Sequence, residues 1–276
     1  METTSVSETS TQVRERVSAS YARAISVAEN KPQDKATAAC CGSDCCGSDA
    51  DEVQTVTVLR DEVPSFGCGD PLLFAQVKEG EVVLDLGSGA GYDLLAAAEK
   101  VGPTGYVIGV DMTDAMIESA RRNAASAGFK NVEVRKGIIE NLPVATDSVD
   151  WVISNCVVNL SPEKDRVFAE IARVLKPGGR FSISDITADD LPASVLSNEE
   201  AYDGCISGAI PEEDYLAGLR GTGLESVRTE SRVPAHDIAG DCGCESCDGG
   251  LDVAALEGKV WSVRVTGSKP NTVIPG

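Results

Sequence analysis

Val82–Gly91, VVLDLGSGAG, is the stretch that decides the fold. Val82–Leu86 is a short apolar run of strand length, and it leads directly into glycines at 87, 89 and 91. Asp85 stands two residues before the first of them. Glycine permits left-handed turns and lets backbone approach a ligand closely. A dinucleotide fingerprint requires G-x-G-x-x-G, and its last position would here be Tyr92. A dehydrogenase is therefore disfavoured. Taken alone, the glycines also suit a plain tight turn from strand to helix.

Outward from this turn, strands and helices alternate. Tyr92–Lys100 reads as a helix and Tyr106–Val110 as a second strand ending at Asp111. Asp114–Ala127 is helical and stopped by Gly128, and Val132–Lys136 and Val149–Ser154 are the third and fourth strands. Ser161–Leu175 reads as a helix with Ser161 as N-cap and Pro162 at the first helical position, ended by Pro177-Gly178-Gly179. Arg180–Ser184 is a fifth strand. Such alternation predicts a parallel sheet covered on both faces. Residues 195–223 read as helical, with strands at Leu224–Arg232 and Val260–Thr266 around a loop insertion, DIAGDCGCESCDGG. Before the sheet, residues 11–28 form an amphipathic helix with Val13, Val17, Tyr21 and Ala24 near one stripe. The polar, Cys-rich stretch from Glu29 to Glu52 reads as a loop or flexible segment. No internal repeat is present.

An acidic residue two before G-x-G-x-G, after a strand, resembles the S-adenosylmethionine site of class I methyltransferases. The resemblance implies a Rossmann-like α/β fold, doubly wound, with a mostly parallel seven-stranded sheet. The chemistry suits that cofactor. Asp85 can serve its ammonium, directly or through water, and Gly87, Gly89 and Gly91 admit its amino-acid end. Asp111 lies where a carboxylate accepts both ribose hydroxyls in doubly wound nucleotide sites. Met112 either covers the adenine face or packs in the core. Ile139 and Glu140 sit where the family contacts adenine. Asn155, ending the fourth strand, is expected to face the sulfonium and methyl group.

Composition narrows the function. Of 276 residues, 44 are acidic and 24 basic, a net charge of −20 that repels phosphate backbones and anionic lipid. Nucleic acid and membrane surfaces are thus poor partners. No window approaches the roughly 18 apolar residues of a membrane span, and METTSVSETS lacks a signal peptide's basic and apolar regions. A cytoplasmic location is expected. A cytosolic chain of this size needs no disulfide framework, yet it has ten cysteines. The one histidine, His236, lies in a loop and receives no catalytic role. A histidine triad or a Cys/His zinc site has little to draw on.

Oxygen nucleophiles and protonated nitrogens usually need a base near the methyl donor. A soft, electron-rich acceptor does not, and three solitary cysteines point to one. Cys68 precedes the first strand, Cys156 follows Asn155, and Cys205 lies after strand five. Ligands bind at the carboxyl ends of strands in such sheets, which places Cys156 there and lets the other two cap the same mouth. Three thiolates suit a thiophilic trivalent ion. Any one cysteine alone reads more simply as a small buried hydrophobe.

These segments resemble the arsenite methyltransferases: Phe66-Gly67-Cys68-Gly69, Asn155-Cys156-Val157-Val158-Asn159-Leu160, Ser184-Asp185 and Cys205-Ile206-Ser207-Gly208-Ala209. Arg173-Val174-Leu175-Lys176-Pro177-Gly178-Gly179 belongs to the likeness too, although its Leu-Lys-Pro-Gly-Gly part is common to many methyltransferases. The likeness runs from the N-terminal helix to about residue 232. It implies that Cys68, Cys156 and Cys205 bind As(III) as a pyramidal tris-thiolate whose lone pair attacks the methyl group. It also implies a thiol reductant of thioredoxin or glutathione type, working through an N-terminal cysteine matched by Cys40 or Cys41. The substrate implied is arsenite or its thiol conjugate, and the role detoxification.

Two features depart from the family: Cys45-Cys46 is added, and a shorter C-terminal part carries Cys242-x-Cys244-x-x-Cys247. These thiols collect or relay As(III), hold zinc, or are incidental to solvated segments. The chain divides into residues 1–60 (helix and Cys-rich segment), 61–190 (cofactor core) and 191–276 (arsenic-binding cap and final strands). A related enzyme methylating carbon or oxygen would need no cysteine triplet. A non-catalytic thiol-rich metalloid-binding protein would not need Asp85, the glycines and Asp111.

The charge carries its own expectation. Only ten lysines accompany fourteen arginines and 44 acids, and such self-repulsion destabilises a compact state at low salt. At about 1 M salt the Debye length falls to about 3 Å and the repulsion is screened. A saline cytoplasm is predicted, with a melting temperature that climbs steeply from low salt to molar potassium chloride. A melt flat across that range would refute this account of the acidity.

Overall fold

The computed structural model describes residues 8–30, 63–73, 75–235 and 256–271. Cys40, Cys41, Cys45, Cys46, Cys242, Cys244, Cys247 and His236 lie outside them. Seven strands form one sheet: β1 (Val82–Leu86), β2 (Tyr106–Asp111), β3 (Val132–Lys136), β4 (Val149–Asn155), β5 (Leu175–Ala188), β6 (Glu225–Pro234) and β7 (Val260–Ser268). Their order is β3-β2-β1-β4-β5-β7-β6. The first five pair in parallel, and β7 runs antiparallel to both β5 and β6.

The central strands are apolar on both sides because helices cover both faces. Successive residues of β1 illustrate the alternation. Leu84 enters a core with Val152, Ile183, Phe168, Ile171 and Tyr215. Val83 enters the opposite core with Leu94, Ala97, Ile117, Ala120 and Ile153. The second core is closed by α2 (Tyr92–Val101) and α3 (Asp114–Ser126), the first by α4 (Lys164–Val174) and α7 (Glu212–Gly221). Between β5 and α7 lie two short helices, α5 (Ala193–Leu196) and α6 (Glu199–Asp203).

α1 (Ser10–Asn30) crosses the carboxyl ends of the strands. It buries Val13, Val17 and Ile25, so Ile25 rather than Ala24 continues the apolar stripe. Polar side chains hold it as well: Ser18 Oγ lies 3.0 Å from Thr113 Oγ1, and Arg16 donates to Asp203 at 2.8 Å. Among the described residues no helix is long and apolar enough to cross a membrane.

Three local expectations differ from the structure. α4 begins at Lys164, not at Ser161. The Ser161 hydroxyl is drawn into tertiary contact, donating to Glu140 at 2.6 Å while accepting from the Glu163 N–H. The Pro177-Gly178-Gly179 turn does not precede the fifth strand but lies within β5. It is held by Gly178 N–H to Lys269 O and Lys269 N–H to Gly179 O, and the β4 register slips across it. Residues 195–223 break into α5, α6 and α7, because the chain turns at Gly204 and passes Cys205 with φ of 63°.

Phe168 joins α4 to α7: its ring meets Tyr215 edge-on at 5.1 Å, and a Cβ on Gly218 would come within 2.6 Å of it. Phe168→Ala removes this fully buried ring and should cost about 3–5 kcal/mol. Urea unfolding measures the loss, and an unchanged midpoint would contradict the packing described.

Candidate functional site

A cleft of about 920 Å³, open solvent at its mouth included, lies at the carboxyl ends of β1, β2 and β4. Its floor is the turn from β1 to α2. Gly87, Gly89 and Gly91 take φ of 64°, 50° and 98°, a region that side chains disfavour. At Gly87 a Cβ would also collide with Val157. Asp111 braces this turn from β2. One carboxylate oxygen accepts from the Gly89 N–H at 3.0 Å and the other from the Thr113 N–H at 2.8 Å. Burial pushes the Asp111 carboxyl up, against these bonds.

Asp85 is 2% exposed, and its Oδ2 has no hydrogen-bond partner. Burial, with the charges of Asp93 and Asp111, pushes its carboxyl well above the usual range. A buried carboxylate oxygen beside two further acids calls for a cation. The ammonium of S-adenosylmethionine supplies one, so the residues present fit that cofactor.

Met112 and Ile139 line the cleft wall. Glu140 lines it too, but its Oε1 accepts from Arg14 Nε at 3.1 Å and Ser161 Oγ at 2.6 Å. That carboxylate ties α1 to the turn after β4, and Arg14 also pairs with Glu163. Asn155 is likewise a clamp. Its Oδ1 accepts from the N–H groups of Cys68 and Gly69 at 3.0 and 3.2 Å. Its Nδ2 donates to Gly69 O at 2.6 Å and to Asp93 at 2.9 Å. Gly67 has to be glycine, since any Cβ would overlap the Asn155 side chain.

The three solitary cysteines meet beside the cleft. Cys156 follows β4 with φ of 54°, its N–H bonded to Ser184 O at 2.8 Å. Cys205 lies between α6 and α7 and donates from Sγ to Cys156 O at 2.7 Å. All three belong to one apolar cluster with Val13, Val17, Leu160 and Ile186. Cys68 and Cys156, expected as free thiols, are joined in a disulfide with Cα atoms 5.8 Å apart, inside bridging range. In this oxidised form no group of three or more His, Cys, Asp or Glu side chains among the described residues is set to hold a metal ion. Cys205 remains a free thiol, pushed well up by burial and by the charge of Asp185. Cysteine rarely takes positive φ, and such strain concentrates at functional sites.

Arg14 and Asp93 are wall residues that sequence reasoning passed over. Asp93, two residues after Gly91 in the first turn of α2, carried a readable signal; Arg14 carried none, because its acidic partners are 126 and 149 residues away.

Residues 77–233 match the family model described as a methyltransferase domain. An arsenite methyltransferase of Halobacterium salinarum is 48% identical over 201 residues, 72% of this chain and 51% of that protein. One from Aquipseudomonas alcaligenes is 41% identical over 177 residues, 61% and 51% of the two chains. The crystal structure of an arsenic (III) S-adenosylmethionine methyltransferase from Chlamydomonas reinhardtii superposes with a TM-score of 0.62 at 32% identity. The match covers 78% of this chain and 74% of that one. The chain spans about half the length of the curated relatives it matches.

Asp111→Ala removes the brace on Gly89 along with the carboxylate expected to accept from ribose. A hydrogen bond to a charged group is worth about 1.5–3 kcal/mol, so S-adenosylmethionine affinity should fall by about tenfold or more. Calorimetry showing unchanged affinity would remove Asp111 from the cofactor site.

Proposed function

The chain belongs to the arsenite methyltransferase family, and from that premise we propose that it transfers the methyl group of S-adenosylmethionine to trivalent arsenic held by Cys68, Cys156 and Cys205. The supporting observation is the meeting of those three cysteines, far apart in sequence, at the rim of a cleft whose floor holds a buried carboxylate with one oxygen unpartnered.

Bound at Asp85, Asp111 and the glycine turn, S-adenosylmethionine would supply an electrophilic methyl group and leave as S-adenosylhomocysteine. Sulfur ligands suit a soft trivalent centre. Arsenic(III) brings its own lone pair, so no side-chain base has to activate the acceptor. Arsenic capture requires the Cys68–Cys156 disulfide to be opened. Two equivalents of a thiol reductant supply two electrons and two protons and leave as their own disulfide. Each cysteine thiol then displaces a hydroxyl from arsenite, its proton leaving with the hydroxyl as water. Cys40 or Cys41 takes part in the thiol exchange, on the family resemblance. Asn155 holds the Cys68 loop at the end of β4, and α1 excludes water through Val13 and Val17. In this scheme residues 61–190 serve the cofactor, and residues 191–276 contribute Cys205 and cover the metalloid. The physiological role is arsenic detoxification in the cytoplasm.

Cys156→Ser should abolish arsenite-dependent methyl transfer and leave S-adenosylmethionine binding nearly intact, because a hydroxyl is a poor ligand for a soft centre. Labelled-methyl transfer and calorimetry read the two effects separately. Arsenite turnover retained by this variant would sink the three-thiolate mechanism.

A further inference from the structure

Behind the Cys156 turn lies a buried polar pair that methyl transfer does not itself require. Asn159 Nδ2 donates to Asp185 Oδ1 at 2.9 Å and to Ile186 O at 2.6 Å. Asp185 Oδ1 also accepts from the Ile186 N–H at 2.9 Å, and its Oδ2 from the Tyr215 hydroxyl at 3.2 Å. All three side chains are completely buried. A carboxylate in such a place carries a desolvation cost that an apolar pair of similar shape would avoid. Burial pushes the Asp185 carboxyl up to about 6, in spite of these bonds and the nearby charge of Lys164. Asn159 Oδ1 meanwhile has no hydrogen-bond partner, so satisfied hydrogen bonding does not account for the amide.

The pair stands between the two cysteine segments. Asn159 belongs to the 3-10 turn Val158–Leu160, just after Cys156. A Cβ on Gly208 would overlap the Asn159 carbonyl, so the loop carrying Cys205 packs directly against it. Lys164 Nζ donates to that same carbonyl at 3.3 Å and to Ser161 O at 3.0 Å. The Tyr202 hydroxyl donates to Leu160 O at 3.1 Å, and Cys205 Sγ to Cys156 O at 2.7 Å. On the other side, Cys156 N–H is bonded to Ser184 O, the residue before Asp185. Neither cysteine lies in a helix or strand, and each has positive φ. Their positions therefore depend on what the surrounding side chains impose.

We propose that Asp185 and Asn159 are positioning residues that set the separation of the Cys156 and Cys205 sulfurs, so that both reach one trivalent arsenic. The proposal rests on the arsenic-binding function above. Asp185 anchors the Asn159 amide to β5, the amide fixes the turn after Cys156, and the Asn159 carbonyl sets the approach of the Cys205 loop. Neither residue touches the arsenic or the cofactor.

Steady-state methyl transfer in the reduced 276-residue chain tests this, with S-adenosylmethionine affinity followed by calorimetry. Asp185→Leu removes both carboxylate acceptors of the hub and leaves the Asn159 amide only the Ile186 carbonyl. Its KM for arsenite should rise by about tenfold or more while cofactor affinity stays within about twofold, the scale expected when a group supporting a metal ligand is lost. Asp185→Asn keeps an acceptor for Asn159 and Ile186 and should stay within about threefold of the wild-type KM. Asp185→Leu with a wild-type KM overturns the proposal. Parallel loss of cofactor affinity overturns it too, since that is the mark of a general folding role. Should Asp185→Leu fail to fold, Asn159→Ala carries the same expectation and the same refutation. A wild-type protein with no arsenite-dependent transfer would instead defeat the arsenic-binding function first, and this proposal with it.

Discussion

β1 stands between β2 and β4, so the chain winds away from it in both directions and the crossover connections part at its carboxyl end. Among the described residues, the groups of the candidate cofactor site gather at that parting. The glycine turn leaves β1, Asp111 ends β2, and Asn155 ends β4 with Cys156 next in line. Parallel pairing brings these ends together whatever their distance in sequence: Leu86 pairs with Val110 on one side and with Ser154 on the other.

The resulting cleft has two characters. Toward β1 and β2 it is acidic, with Asp85, Asp93 and Asp111 each drawn in from a different element. Toward β4 and β5 it borders an apolar, sulfur-rich cluster, with Cys68, Cys156 and Cys205 among Val13, Val17, Leu160 and Ile186. Low polarity strengthens every charge interaction inside such a site. Asn155 lies on the border, one end of its amide on the Cys68 loop and the other on Asp93. α1 covers both halves, since Arg14, Val17 and Tyr21 line the cleft while Val13 and Val17 pack among the cysteines. Covering both halves with one helix couples their access to solvent.

Charge is spent unevenly across the protein. Exposed Glu79, Glu199, Glu200, Glu213 and Asp214 face solvent on the folded body, so the acidity is not confined to the chain ends. Two carboxylates, by contrast, are tied to irregular segments of chain. Asp111 holds Gly89 and Thr113, and Asp185 holds Ile186 and Asn159. A buried carboxylate is costly, and these stand where an irregular segment has to be kept in one shape.

The sheet strands and the α2 and α3 helices were legible in the sequence, because apolar period, glycine position and helix stops are local signals. The glycine turn and Asp111 were legible for the same reason: their spacing along one strand–turn–helix unit is the signal. Tertiary structure alone decided the rest. Ser161 reads as a helix cap until Glu140, brought in from the loop after β3, takes its hydroxyl. Asn155, expected to face the methyl group, lines the cleft and through its amide also holds Gly69 and Asp93. The pairing of Cys68 with Cys156 spans 88 residues, and the closeness of Arg14 to Glu140 spans 126. No periodicity extends that far. Such contacts exist only once the parallel strands have aligned their ends, and then desolvation decides which polar groups must pair.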